Sequence, residues 1–380
     1  MRPKVLLFVA HYLPAFKAGG AVRTLSNMVN HLSDEFEFFI VAGDRDLGDS
    51  EPFASIQIQT WQRVGLANVY YLPPSAQTVR SIAKLMDDTV HDVLYLNSFF
   101  DVHFSMKPLV AAKLWCSGKT PLVLAPRGEF SPGALQLKAK KKRCFMTLSK
   151  KSGLYDGIHF QASSEQEKQD IINALHVRAE RVHVAIDLSR PFDRKDILRD
   201  TSSAEGTLRI VFLSRIAPMK NLLGALKIIR RVKRAVIFDI YGPREDAAYW
   251  DQCERNIRQM PGHANVRYCG EVQSEQVRAI FSNYDMFLFP TLGENYGHVI
   301  EEALSVGTTV LISDQTPWKN LEEDGLGWEC ALDDLDGFIE KIELFEVKEG
   351  RRAAVYRGVM KRLLDQSSIE ANRQLFRSFV

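Results

Sequence analysis

The chain predicts an α/β protein made of two doubly wound parallel-sheet halves in series. Two observations carry this. Short, nearly continuous apolar runs alternate with amphipathic stretches along the whole chain, and strands buried on both faces between crossover helices read that way. One polar stretch, residues 187–206, interrupts the alternation, after which it restarts. The length of 380 residues is enough for two ordinary domains.

In the first half the strand candidates are 4–10, 36–42, 69–72, 93–96, 122–125 and 158–162. Helix candidates between them are 22–32, 75–88, 104–116, 133–151 and 165–175. The last starts with Ser164 and Glu167, spaced as a capping box. Stretch 187–206 carries charge, Ser, Thr and Pro191 with little apolar periodicity, and reads as the link between domains. The second half offers strands at 208–213, 236–241, 266–269, 286–289 and 309–312, with helices at 222–234, 247–260, 274–283 and 297–305. Ser367 and Glu370 mark another capping box and a last helix. The expected domains are therefore 1–190 and 207–366, with the end of the chain, 367–380, as a terminal helix.

Composition bounds the function classes. Hydrophobic content of 46% and charged content of 25% are those of a globular protein. A net charge of +2 gives no field that argues for nucleic acid. The five cysteines are scattered and suggest neither a disulfide framework nor a metal site, so a reducing cytoplasm is expected. The apolar run 5–10 is too short for a signal peptide and reads as a first buried strand. No run approaches the roughly 20 apolar residues of a membrane span.

The most informative segment is 291–303, Thr-Leu-Gly-Glu-Asn-Tyr-Gly-His-Val-Ile-Glu-Glu-Ala. It follows an apolar run and Pro290 and opens a helix. The first amides of a helix have no partner inside it, so a strand, turn and helix start form an anion site. Glu294 at the helix mouth and Glu302 two turns inside would be about 10–12 Å apart at 1.5 Å per residue. That span suits a ligand with hydroxyls at both ends and phosphates between, such as a nucleotide-sugar.

Here the chain resembles the family 4 retaining glycosyltransferases. Two glutamates with seven residues between them, followed by Ala303 and a second apolar strand, carry the resemblance, and further motifs occur in the expected order. It implies a GT-B fold, with two facing Rossmann-like domains and an inter-domain cleft. It implies that Glu294 holds the donor sugar and Glu302 the ribose, with the amides of Asn295, Tyr296 and Gly297 facing sugar and phosphates. It also implies that helix 367–380 packs back on the first domain, and that no metal or other cofactor is needed.

Other loops then find roles. Arg215 and Lys220 sit in one loop after the first strand of the second half. Arg supplies a bidentate fork and Lys a point charge for a departing diphosphate. Gly19 and Gly20, before a helix, allow close backbone approach to an anion, and the resemblance implies that their loop closes over the donor phosphates. Gly242 and Val272 follow two strands of the second half, and by the same resemblance border the nucleobase through backbone. Arg127 and Asn97 follow strands of the first half and are candidates for holding the acceptor. His11 and His103 do not identify a general base.

Lys138, Lys140, Lys141, Lys142, Arg143, Lys150 and Lys151 are interleaved with Leu135, Leu137, Phe145, Met146 and Leu148. The stretch reads as a surface for an anionic membrane, weighed against an ordinary solvated helix face. Two Asp-x-Asp triplets, at Asp44 and Asp46 and at Asp334 and Asp336, lack a His/carboxylate cluster and read as structural.

The expected activity is transfer of a sugar from a UDP- or GDP-sugar to a hydroxyl of a glycan or lipid-linked acceptor. The resemblance places this in bacterial surface polysaccharide or glycolipid synthesis, in the cytoplasm, peripheral to the inner face of the membrane. The alternatives are a nucleotide-sugar 2-epimerase, for which no convincing acid/base set is visible, and a non-enzymatic two-domain sugar-binding protein.

Overall fold

The computed structural model describes residues 2–114, 120–136, 139–188, 207–363 and 367–380. The chain forms two compact units, Met1–Leu188 with Gln366–Val380, and Ser189–Asp365.

Unit 1 holds strands β1 (Lys4–Val9), β2 (Glu37–Gly43), β3 (Trp61–Val64), β4 (Ala67–Leu72), β5 (Val93–Asn97), β6 (Leu122–Ala125), β7 (His159–Ala162) and β8 (Val182–Val184). Its sheet order is β3-β4-β2-β1-β5-β6-β7-β8, parallel except for the β3–β4 pair. Val5, Leu6, Leu7 and Phe8 of β1 are fully buried, because helices cover both faces of a doubly wound sheet. The helices are α1 (Gly20–Leu32), α2 (Val79–Asp88), α3 (Lys107–Leu114), α4 (Pro132–Gln136), α5 (Ala139–Lys151) and α6 (Glu165–Leu175).

Unit 2 holds β9 (Leu208–Leu213), β10 (Val236–Tyr241), β11 (Ala264–Gly270), β12 (Met286–Phe289), β13 (Thr309–Ser313) and β14 (Gly327–Cys330), ordered β11-β10-β9-β12-β13-β14. All its neighbouring strands are parallel. Its helices are α7 (Leu222–Arg231), α8 (Ala247–Ile257), α9 (Val277–Phe281), α10 (His298–Ser305), α11 (Leu335–Glu343) and α12 (Arg351–Leu363).

The last helix, α13 (Ser367–Arg377), belongs to unit 1. Phe376 is fully buried against Phe36, Phe38 and Tyr95, with ring centroids 5.4, 6.2 and 5.8 Å away. Arg377 and Arg373 reach Glu35 and Asp34.

Several expectations need correction. Asp187 and Leu188 are buried parts of unit 1 rather than linker, while 189–206 lies outside the described residues. Candidate helix 75–88 breaks at Thr78, whose side chain caps α2 by accepting from the Ser81 amide. Glu167 accepts from the Ser163 amide, not that of Ser164, so the expected reciprocal box is shifted by one residue. Strands β3, β8 and β14 were not expected. Each lies at a sheet edge, where solvent on one side permits residues such as Gln62, Arg63, His183 and Glu329.

Candidate active site

In a doubly wound sheet, ligands bind beyond the strand carboxyl ends where the winding reverses. In unit 2 that point lies between β9 and β12, neighbours in the sheet whose exits lead to different sides of it. The loops leaving these strands, 214–221 and 290–297, contain Arg215, Lys220 and Glu294.

The two loops are built onto each other. The Leu292 amide donates to the Met219 carbonyl at 2.9 Å, and the Asn221 side-chain amide donates to the Pro290 carbonyl at 2.8 Å. Asn221 also caps α7, accepting from the Gly224 amide. Across this seam the Lys220 Nζ meets Glu294 Oε1 at 2.5 Å. Their side chains are only 16% and 11% exposed. The Thr291 hydroxyl lies 3.2 Å from the same carboxylate oxygen, and the Glu294 amide donates to the Gln315 carbonyl at 3.1 Å. The Lys220 ammonium also lies 5.8 Å from the Phe289 ring centroid.

Helix α10 begins at His298, so Glu294 lies in the loop before it and Glu302 stands just past its first turn, half-buried. The expected start at Gly297, and the expected two-turn depth, are corrected accordingly. Gly297 is the N-cap at φ 80°, and a Cβ there would lie 2.9 Å from Ile300 Cδ1 and 3.3 Å from Trp318 Nε1. Trp318 Nε1 donates to the Tyr296 carbonyl at 2.7 Å and holds the turn in place. Asn295, Tyr296 and Gly297 therefore bring their backbone to the start of a helix that no side chain caps.

Arg215 points elsewhere in the same loop. Its Nη1 pairs with Glu245 Oε2 at 2.7 Å, both side chains about a third exposed. The two loops are joined by bonds from the Ile216 amide to the Pro243 carbonyl and from the Asp246 amide to the Ile216 carbonyl, at 2.8 and 3.3 Å. Gly242, at φ 133°, lies so close that an added Cβ would be 1.9 Å from the Ser214 carbonyl oxygen, so no other residue fits. Val272 packs, partly buried, against the unit 2 core. Nearby, the Arg244 guanidinium lies 4.2 Å from the ring centroids of both Trp250 and Tyr268.

In unit 1 the corresponding point lies between β1 and β5. Gly19 is the N-cap of α1, again with no side-chain cap, and open space surrounds Gly19 and Gly20. By contrast, α2, α6, α7, α8 and α11 are all capped by side chains. The loop before α1 is held by buried Asp46, whose Oδ2 accepts from the Phe16 and Lys17 amides at 2.8 and 3.1 Å. Asp44 pairs with Arg45 at 2.8 Å, and Asp334 caps α11. Among the described residues, no group of three or more His, Cys, Asp or Glu side chains could hold a metal ion.

Arg127 and Asn97 do come together, but in a buried knot. Arg127 Nε donates to Asn97 Oδ1 at 2.9 Å, Nη1 pairs with Asp187, and Nη2 donates to the Tyr95 hydroxyl at 2.6 Å. Burial opposes the charge on Arg127, yet Asp187, Tyr95 and Glu167 outweigh it and raise its pKa. Glu129 accepts from the Ser98 hydroxyl at 2.7 Å and from the Phe99 and Phe100 amides at 2.5 and 3.2 Å. Burial pushes the Glu129 carboxyl up, and these hydrogen bonds pull against it. Arg127 and Asn97 are thus engaged with protein groups.

Sequence reasoning missed Gln315, Trp318 and Glu245. Their contacts to the loops run through backbone atoms or between distant segments, and no local spacing announces them.

The family model described as "Glycosyl transferases group 1" matches residues 193–361, a segment that contains Arg215, Lys220, Glu294 and Glu302. O-antigen chain mannosyltransferase B of Escherichia coli is 28% identical over 112 residues, which is 28% of this chain and 28% of that protein. The chain therefore spans well under a third of that curated relative. Two solved structures match over nearly the whole length. Anabaena HepE, in complex with UDP-glucose, is 15% identical with a TM-score of 0.70, covering 99% of each chain. The α,α-trehalose-phosphate synthase (UDP-forming) of Burkholderia xenovorans, in complex with glucose-6-phosphate, is 13% identical with a TM-score of 0.72, covering 100% of each. The fold is GT-B. At these identities the likeness is one of fold, and it matches the two Rossmann-like units that the sequence predicts.

Proposed function

We propose that the protein is a retaining glycosyltransferase that moves a sugar from a nucleotide-sugar to a hydroxyl acceptor. The observation that carries this is the meeting of Lys220 with Glu294 at the unit 2 switch point, inside the segment that the glycosyltransferase model matches. Arg215 and Lys220 take the diphosphate. Glu294 orients the sugar hydroxyls and Glu302 the ribose, with the amides of Asn295, Tyr296 and Gly297 toward sugar and phosphates. Gly242 and Val272 border the base through backbone, and Gly19 and Gly20 offer a second amide-rich helix start.

In the reaction, the bond between the anomeric carbon and the diphosphate oxygen breaks. The acceptor oxygen bonds to that carbon on the same face, and its proton passes to the departing diphosphate. Charge grows on the leaving oxygen, so fixed cations hold the transition state more tightly than the ground state.

The E. coli relative's role in an O-antigen chain supports a glycan or lipid-linked acceptor of bacterial surface polysaccharide. Helix α5 supports a membrane-proximal site for the work. Phe145 turns inward onto Phe99 and Phe100, at 5.8 and 6.0 Å between ring centroids. Lys140, Lys141, Arg143, Lys150 and Lys151 face outward beside exposed Leu148. Lys138 lies outside the described residues. No described helix is long and apolar enough to cross a membrane. We propose peripheral contact with anionic lipid, and co-sedimentation with anionic but not neutral vesicles is the expected result.

The direct test is calorimetry with UDP-, GDP-, ADP- and dTDP-sugars, with and without EDTA. One donor bound equally well in both conditions is expected. Failure of every donor to bind, or isomerised donor as the only product, would overturn the reading.

A further inference from the structure

The two cations assigned to the diphosphate are each paired with a carboxylate of the chain itself. Lys220 is held by Glu294 at 2.5 Å and Arg215 by Glu245 at 2.7 Å. The two acids differ in a way that matters. Glu245 comes from the loop after β10, pairs with Arg215, and is assigned no part in holding the sugar. Glu294 is the residue assigned to the sugar itself.

We infer that the Lys220–Glu294 ion pair makes diphosphate binding conditional on the sugar. This rests on the proposed glycosyltransferase reading. A nucleoside diphosphate alone must draw Lys220 from a carboxylate left with the Thr291 hydroxyl but no other cation, in a site where both side chains are largely buried and charge interactions are weakly screened. A nucleotide-sugar brings hydroxyls that take Glu294 in hydrogen bonds, which releases Lys220 to the phosphate. Sugar and diphosphate therefore support each other's binding. Once the sugar has gone to the acceptor, Glu294 returns to Lys220 and competes with the remaining nucleoside diphosphate. The pair thus favours substrate over product at one site. Glu245 supplies the internal contrast, since it opposes substrate and product alike.

The test is calorimetry on the full chain with inorganic pyrophosphate, UDP, GDP, UDP-glucose and GDP-mannose. Glu294→Gln keeps the shape and the acceptor oxygen for Thr291 but removes the charge. It is expected to bind pyrophosphate and the preferred nucleoside diphosphate roughly tenfold more tightly, and the matching nucleotide-sugar more weakly, so that the preference inverts. Glu245→Gln is expected to tighten both by a similar, smaller factor of roughly two to five, as for an exposed pair. In a Lys220→Ala background, Glu294→Gln is expected to add nothing to nucleoside diphosphate affinity, which isolates the pair from any general effect on folding. Unchanged or weaker nucleoside diphosphate binding in Glu294→Gln, with Lys220→Ala still weakening it, would overturn this inference alone. Unchanged pyrophosphate and nucleoside diphosphate binding in Lys220→Ala would instead remove the diphosphate assignment beneath it.

Discussion

At the switch point of unit 2, side chains of opposite charge face each other across two loops, Lys220 from one and Glu294 from the other. At the switch point of unit 1, the corresponding loops are each held by a carboxylate from beyond the neighbouring strand. Asp46, after β2, binds the amides of the loop after β1, and Glu129, after β6, binds those of the loop after β5. The same winding thus yields chemical groups in one unit and fixed backbone in the other. A carboxylate bonded to two amides is satisfied and serves as scaffold. A carboxylate bonded to side chains, a lysine and a threonine hydroxyl, can exchange a partner for a ligand.

The contrast can be broken first at Arg127. If it is scaffold, Arg127→Met leaves the Asp187 charge buried without its cation, at about 3–5 kcal/mol of stability. Denaturant unfolding should show this loss, with donor affinity unchanged in the folded fraction. An unchanged midpoint with a raised acceptor KM would return Arg127 to the acceptor site. Next comes Lys220→Ala, expected to lower kcat about 100-fold with little change in melting temperature, as measured by steady-state kinetics and thermal melts. Glu302→Ala should follow with roughly tenfold weaker donor binding by calorimetry and a nearly unchanged kcat, since the ribose lies away from the reacting bond.

The smallest effect is at a pair of histidines in unit 1. His159 Nδ1 and His183 Nε2 are 3.0 Å apart, and both rings pack on Phe379. Burial lowers both pKa values, with His183 and Arg181 adding to the shift at His159 and Lys168 to that at His183. The unfolded chain then binds more protons than the folded one as pH falls below the ordinary histidine value of about 6.5. Stability from this pair is full above that value and is lost as pH falls through the lowered native values. Thermal melts between pH 7.5 and 5.5 should show the decline, and His159→Gln should flatten it. His159 begins β7, at the end opposite the loops that leave the unit 1 strands, and donor affinity should not follow.

Much of this was legible in the chain. Central strands such as β1, β9 and β12 announce themselves because burial on both faces demands continuous apolar residues. The edge strands β3, β8 and β14 escaped because one side meets solvent and their polar residues resemble loop. Arg215, Lys220, Glu294 and Glu302 could be picked out because they follow strands or flank a helix start, which local spacing encodes. Asn97 and Arg127 were picked out for the same reason. They too follow strands, and only the fold brings Asp187, sixty positions from Arg127, against the guanidinium.

Hydrophobic period and turn residues, both local, therefore determined the α/β class, the restart after the polar stretch and the loops that carry charge. The tertiary structure decided which charges meet. Lys220 and Glu294 are separated by 74 positions and touch because β9 and β12 are neighbours in the sheet. Strand order is set by packing over the whole unit, and no local window of sequence contains it.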